Sequence, residues 1–298
     1  MKAISHIRED DLISSLTHDL TYPKEVMVGV GDDCAVIEKT DTHHTLLKTD
    51  SVVEHVHFKS DESPERVGWK AAARVISDFA SMGGKPEALL ITIVLSPDTS
   101  QEWVHGLYKG IKACARRFSC SIVGGETSSA PKGTAIVVSV AGTGTVETHN
   151  LTLRSGAKTG DLIYVTGLLG HSIHGKHLDF TPRVTEGTWL AKHIKPTAMM
   201  DLSDGIAKDL PRLTKASNCG FEIFRSKIPC SQDATVSEAL KDGEDYELLF
   251  TIPAESQNDL ESIWKKKFPY LELTNIGHIT DKKAQELEGG WDHFQKDK

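Results

Sequence analysis

Along the chain, short apolar runs alternate with longer amphipathic stretches, the rhythm of strands exchanging with helices. Residues 26–30 and 34–37 are short apolar runs around a Gly-Asp-Asp corner, and 45–53 predicts a further strand. Ser63 followed by Pro64 predicts a capped helix start, and Gly83-Gly84 ends that helix about 20 residues later. Residues 88–95 form a β-rich buried run, and Ser100 can cap a second helix reaching Phe118. Residues 121–123 lead into Gly124-Gly125, and 134–146, rich in Val and Ile, carry the strongest strand signal.

After a turn-rich stretch over 148–160 the pattern restarts with a strand at 161–166. Pro182 precedes an amphipathic helix, and 198–202 is a strand ending in Ser-Asp-Gly. A helix at 206–217, strands at 221–224 and 246–252, and a helix at 255–267 complete the reading. The pattern predicts two α+β domains of about 150 residues each, 1–148 and 149–298.

Composition narrows the class. A chain of 298 residues suits one large or two medium domains, and 39% hydrophobic with 26% charged residues is ordinary for a soluble enzyme. Against 34 Lys plus Arg stand 42 Asp plus Glu, a net charge of −8, which argues against a nucleic-acid partner. It leaves room for a small anion that brings a cation with it. No apolar run approaches the roughly 20 residues of a membrane span, so no membrane partner is expected. The amino-terminal MKAISHIREDDLISS carries charge where a signal peptide needs an apolar core. Five cysteines (34, 114, 120, 219 and 230), without a CxxC, fit neither a disulfide framework nor a zinc ribbon and predict a cytoplasmic setting.

The acids carry the chemical signal. Asp32-Asp33, Asp50, Asp78, Glu126, Asp201 with Asp204, and Glu244-Asp245 all stand beside apolar runs or glycines. Desolvated carboxylates must be paired, and an oxygen-only cluster suits Mg2+, which also binds phosphates. Each acid alone fits a turn or an ion pair; Asp78, four residues after Arg74, could pair with it along a helix. Two other features weigh less. Residues 170–176 match G-x-x-x-x-G-K, but His177 stands where a phosphate loop needs Ser or Thr. His171, His174 and His177 do not share a helical face, and the spacing suggests a solvated loop. There is no Ser-His-Asp order, GxSxG elbow or Rossmann glycine fingerprint.

Eight segments in order carry a resemblance: GVGDDCAVI, KTDSVVEHVHF, ISDFASMGGKPEALL, VGGETSS, LRSGAKTGDLIYVTG, MDLSDGIAKDL, GEDYELLF and GGWDHF. Together they resemble the thiamine-monophosphate kinase family, in the superfamily of aminoimidazole ribonucleotide synthetase and selenophosphate synthetase. The resemblance implies an α+β chain of two domains: an amino-terminal mixed sheet with helices that pairs across a homodimer, and a carboxy-terminal α/β sandwich. It implies Mg2+-assisted, in-line transfer of the γ-phosphoryl group of ATP to thiamine phosphate, giving thiamine diphosphate. By position, Asp33, Thr49, Asp50, Asp78, Glu126, Asp201 and Asp204 match the magnesium ligands. Tyr108, Gly125, Arg154 and Ser203 match the ATP contacts, and His57, Glu244 and Trp291 match those to thiamine phosphate. Asp50, Asp78, Asp204 and Arg154 are the candidate catalytic residues.

Physical chemistry agrees with those roles. A phosphate acceptor, with a second pKa of about 6, is already anionic near neutrality, so no general base is required. Two polyanions must instead be neutralised and held in line. Arg154 offers a planar fork to phosphate oxygens, and Trp291 could stack on a flat cation for ~1–2 kcal/mol.

Some positions depart from the family pattern. Glu126 replaces the usual Asp, Lys48 a small hydroxyl residue, His55 a Gly, Val75 an Asn and Asp242 a Gly, and the segment 170–182 is short, with His171 where Asp is frequent. These changes bear on metal count and rate more than on fold, and Lys48 is expected to supply a fixed positive charge in place of one metal ion. The alternatives are a sibling ATP-using synthetase and a catalytically silent nucleotide- or thiamine-binding homologue.

Overall fold

Alternating burial along β-branched runs builds the amino-terminal sheet. The computed structural model describes residues 4–281 and 285–294. Helix α1 (Glu9–Thr17) precedes strands β1 (Val26–Val28), β2 (Ala35–Thr40) and β3 (His43–Val53), then helix α2 (Pro64–Ser81). Strand β4 (Lys85–Leu95), helix α3 (Gln101–Arg117) and strands β5 (Ser121–Ser129) and β6 (Val137–Glu147) follow. The six strands form one sheet in the order β1-β2-β3-β6-β4-β5, antiparallel except where β4 runs parallel to β5. Leu46, Val52, Val138 and Val140 share a core with Val67, Ala72, Val75, Ile76 and Phe79 of α2.

The carboxy-terminal half contains β7 (Leu162–Thr166), α4 (Lys176–Asp179), α5 (Val184–His193), β8 (Ala198–Asp201), α6 (Ile206–Ala216) and β9 (Gly220–Ile223). It ends with α7 (Val236–Lys241), β10 (Leu248–Ile252), α8 (Gln257–Lys267) and β11 (Leu273–Thr280). The antiparallel sheet β8-β10-β7-β11-β9 lies between two helical layers. Period-two alternation sorts its faces: Ile163 and Val165 pack with Leu210, Leu213 and Leu240, whereas Tyr164 packs with Trp189, Leu190, Leu260 and Trp264.

Helix α2 belongs to both halves, packing on its own sheet and also on α5 and β8. Trp69 Nε1 donates to the Phe180 carbonyl at 2.7 Å, and the Phe180 ring stacks on Tyr246 at 3.9 Å.

The expected elements form, with instructive differences. Ser100 caps α3, accepting from the Trp103 amide at 3.1 Å, but the Ser63 hydroxyl turns to Glu65 at 2.9 Å instead of capping α2. Strand β10 begins at Leu248 rather than residue 246 because Tyr246 takes a left-handed φ of 51° that breaks extended structure. Helices α1, α4 and α7 and strand β11 were not expected; Asn275, Gly277 and His278 leave β11 without a clean apolar run.

Candidate active site

Three distant acids meet between the domains. Asp33 comes from the corner between β1 and β2, Asp78 from the last turn of α2, and Asp201 from the end of β8. Each offers a carboxylate oxygen within 4.8 Å of the others, and all three are buried. Burial and the neighbouring Asp33 push the Asp201 carboxyl up to about 7, and burial pushes Asp78 the same way, opposed by the Lys48 ammonium beside it. Ser81 Oγ donates to Asp33 and Ser77 Oγ to Asp201, both at 2.5 Å. Lys48 Nζ reaches Asp78 at 2.8 Å, and the Arg154 guanidinium reaches Asp33 at 2.5 Å. Two cations against three buried carboxylates leave a deficit of positive charge. An all-oxygen donor set under mutual repulsion fits a hard divalent cation such as Mg2+.

A cavity of about 610 Å³ opens beside this cluster, lined among others by His57, Arg74, Ser203, Asp204, Glu244, Tyr246 and Trp291. The three residues matched to thiamine phosphate therefore share one wall system. His57 Nδ1 accepts from the Val53 amide at 3.1 Å, placing the ring proton on Nε2, and burial beside Arg74 pulls its pKa down to about 4. Glu244 sits at a left-handed φ of 64°. Burial would raise its carboxyl, but His177, Lys70 and Arg74 outweigh that and hold it at about 2. Burial lowers Lys70 to about 8, so the 2.7 Å Lys70–Glu244 pair is ionised at neutral pH. Trp291 is anchored by its backbone, its amide donating to the Asp204 carbonyl at 3.0 Å and its carbonyl accepting from Lys208 Nζ at 2.6 Å. Its indole remains 47% exposed, available for stacking.

The other expected residues fall elsewhere. Asp204 lines the cavity but pairs with Arg212 at 2.6 Å. Asp50 pairs with Arg74 at 3.1 Å, so Arg74 does not take the Asp78 partnership open to it along the helix. Thr49 lies between Lys48 and Asp50 on β3, and strand alternation turns it to the opposite, exposed face, into a groove with Leu47, Leu90 and Val123. Gly125 and Glu126 lie on the edge strand β5, paired with Ile91 and Thr92. A Cβ at Gly125 would run into the Ile91 carbonyl, which is why a glycine stands there. Tyr108 sits on α3, half-buried against the amino-terminal core. None of Thr49, Glu126, Asp50 and Asp204 belongs to the three-acid cluster among the described residues.

The structure corrects one expectation. His177 is buried, with Nδ1 at 2.8 Å from Lys70 Nζ and 3.2 Å from Glu244, so it is no part of a solvated histidine loop. Lys70 and Tyr246 were not singled out in the sequence, Arg74 only as a helical partner for Asp78, and His177 only as one of a histidine loop. Lys70 and Arg74 flanking Ala71–Ala73 inside an apolar helix were a readable signal; nothing local to His177 placed it beside Lys70 and Glu244. Lys176 ties down the Leu168 carbonyl at 2.6 Å and pairs with Glu247 at 3.2 Å, a structural role unlike that of a phosphate-loop lysine. His55 holds a positive φ of 65°, a conformation that glycine adopts most easily.

Two mixed domains clasping buried acids beside a polar cavity define a class, and family models agree. "AIR synthase related protein, N-terminal domain" matches residues 31–146, and "AIR synthase related protein, C-terminal domain" matches 181–290. The chain is 32% identical over 311 residues to a thiamine-monophosphate kinase of Buchnera aphidicola subsp. Schizaphis graminum, covering 91% of this chain and 94% of the relative. It is likewise 32% identical to that of Bacillus subtilis, with 92% of each covered. The solved structure described as AaThiL complexed with AMPPCP and TMP superposes with a TM-score of 0.83 at 29% identity, over 98% of this chain and 99% of that one. The chain belongs to the thiamine-monophosphate kinase family.

Proposed function

We propose that this protein transfers the γ-phosphoryl group of ATP to thiamine phosphate, yielding thiamine diphosphate and ADP. The observation that carries the reading is that α2 links the Asp33–Asp78–Asp201 cluster to the cavity of His57, Glu244 and Trp291, because Arg74 on the cavity wall stands one turn before Asp78. One end suits phosphates with their cation; the other suits a flat organic cation. Support also comes from relatives bearing that name and from the neighbour bound to AMPPCP and TMP.

In the reaction an acceptor phosphate oxygen attacks the γ-phosphorus in line, the bond to the β–γ bridging oxygen breaks, and ADP leaves. No proton needs removing from an acceptor oxygen that is already anionic. Bound Mg2+, held by Asp33, Asp78 and Asp201, would neutralise the phosphates as they approach. We assign Asp50, Asp204, Thr49 and Glu126 to further metal contacts, and Tyr108, Gly125, Arg154 and Ser203 to ATP. Asp50, Asp78, Asp204 and Arg154 stand as the catalytic set. Glu244 stays ionised to face the positive charge of thiamine, and Trp291 stacks on its ring.

We also infer a homodimer through the amino-terminal sheet, because Leu90 and Val123 stand 47% and 62% exposed on its open face. The domain boundary is placed at 148/149, just after β6. A cytoplasmic setting is in keeping with five free cysteines, and among the described residues no helix is long and apolar enough to cross a membrane.

The test is direct: incubate the protein with ATP, Mg2+ and thiamine phosphate, and assay thiamine diphosphate and ADP. Formation of both in equal amounts is expected, and absence of both overturns the reading.

A further inference from the structure

Arg74 lies one helical turn before Asp78 and lines the cavity from the floor of α2. Its guanidinium is fixed on one side, with Asp50 at 3.1 Å and the Ser51 carbonyl at 3.0 Å. Its Nε is buried and has no hydrogen-bond partner among the described residues, and the same holds for the Tyr246 hydroxyl on the same cavity. Buried polar atoms are almost always satisfied, so two unpartnered donors sharing one cavity mark where a ligand acceptor belongs. The charges say which kind. The cavity wall carries Asp204, Asp242 and Glu244, and its cations are Lys241, which is exposed, and Arg74, whose side chain is only 11% exposed. An anionic ligand entering among those acids requires a fixed, desolvated positive group, and a guanidinium matches phosphate geometry.

We propose that Arg74, seconded by the Tyr246 hydroxyl, grips the phosphate of the acceptor and so makes the site prefer thiamine phosphate to thiamine. The proposal rests on reading this cavity as the thiamine phosphate site. Arg74 thereby sits between the acceptor phosphate and the acid cluster, where it holds the attacking oxygen at the boundary of the two.

Calorimetric titrations of thiamine phosphate and of thiamine, without Mg2+, test it on the full chain and on Arg74→Gln, Arg74→Lys and Tyr246→Phe. The unaltered protein is expected to favour thiamine phosphate. Arg74→Gln should shrink that preference about tenfold or more while thiamine binding changes little, as for loss of a charged hydrogen bond. Arg74→Lys should fall between, and Tyr246→Phe should show a smaller loss. An unchanged preference in Arg74→Gln, or equal weakening of both ligands, overturns the proposal. Should Arg74→Gln fail to fold, an unchanged preference in both Arg74→Lys and Tyr246→Phe overturns it. Inorganic phosphate separates the two readings. If the unaltered protein binds neither thiamine compound yet binds phosphate in an Arg74-dependent way, the role of Arg74 stands and the thiamine reading falls. Binding of none of the three overturns both.

Discussion

Lys48 Nζ and Asp78 Oδ1 lie 2.8 Å apart, so one carboxylate of the acid cluster is half of an ion pair within the protein itself. Asp78 holds Lys48 charged by Coulomb attraction against the cost of its burial. A lysine there repels a cation that would otherwise use the second Asp78 oxygen. A Lys48→Ser variant is expected to bind one more divalent ion than the unaltered protein. Mn2+ titration followed by electron paramagnetic resonance gives the count, and an equal stoichiometry in both would refute the substitution of lysine for metal.

Asp201 gives a pH dependence of definite sign. Its carboxyl is raised to about 7 in the fold from 3.8, so between those values the folded chain keeps a proton that the unfolded chain has released. Stability of the metal-free protein therefore falls as pH rises through that window, and the loss is complete above about 7. Asp201→Asn removes the buried charge and is expected to stabilise the metal-free protein at pH 8 by a few kcal/mol, with little effect at pH 4. Added Mg2+ should raise the melting temperature of the unaltered protein at pH 8 but not that of the variant. Thermal melts at both pH values, with and without Mg2+, decide it.

Glu244 and Lys70 form a pair that cannot be halved without cost. Glu244→Gln leaves the Lys70 ammonium buried beside His177, and a loss of about 3 kcal/mol is expected. Lys70→Met in the same chain should recover part of that stability, because removing both charges is milder than removing one. It should not recover binding of thiamine phosphate, which needs the carboxylate. Urea midpoints and a binding titration on the single and double variants separate the two effects.

Trp291 is held by its backbone to Asp204 and Lys208, so its side chain can be removed with little disturbance. Trp291→Ala should weaken thiamine phosphate binding by roughly 1–2 kcal/mol, about ten-fold, with the melting temperature nearly unchanged. Quenching of indole fluorescence by the ligand should be correspondingly smaller. Equal affinity in variant and parent would show that the indole does not stack.

The legible part of this molecule was what local pattern controls. The Val-rich strand β6, the Ser100 cap of α3 and the domain alternation follow from side-chain period and turn chemistry, which act over a few residues. Asp33, Asp78 and Asp201 were legible only as members of a larger group of acids beside apolar runs and glycines, and the sequence did not separate these three from Asp50, Glu126 or Asp204. Their partners were less so. Lys70, His177 and Glu244 lie 107 and 174 residues apart along the chain, counted from Lys70, and only tertiary folding makes them neighbours. The register of β3 likewise decides that Thr49 turns away from Lys48 and Asp50, and spacing alone could not say which face would be covered. Strand β11 was hidden because its polar residues form a strand only through the ladders that β7 and β9 offer it.

That α2 packs on both sheets has a mechanical meaning. Asp78 rides on this helix, Asp33 belongs to the first domain and Asp201 to the second, so an ion bound by all three would act as a rivet across the seam. Neither half on its own contains the full set of ligands. Cation binding would then couple the two halves directly, because Asp33 and Asp78 belong to one and Asp201 to the other.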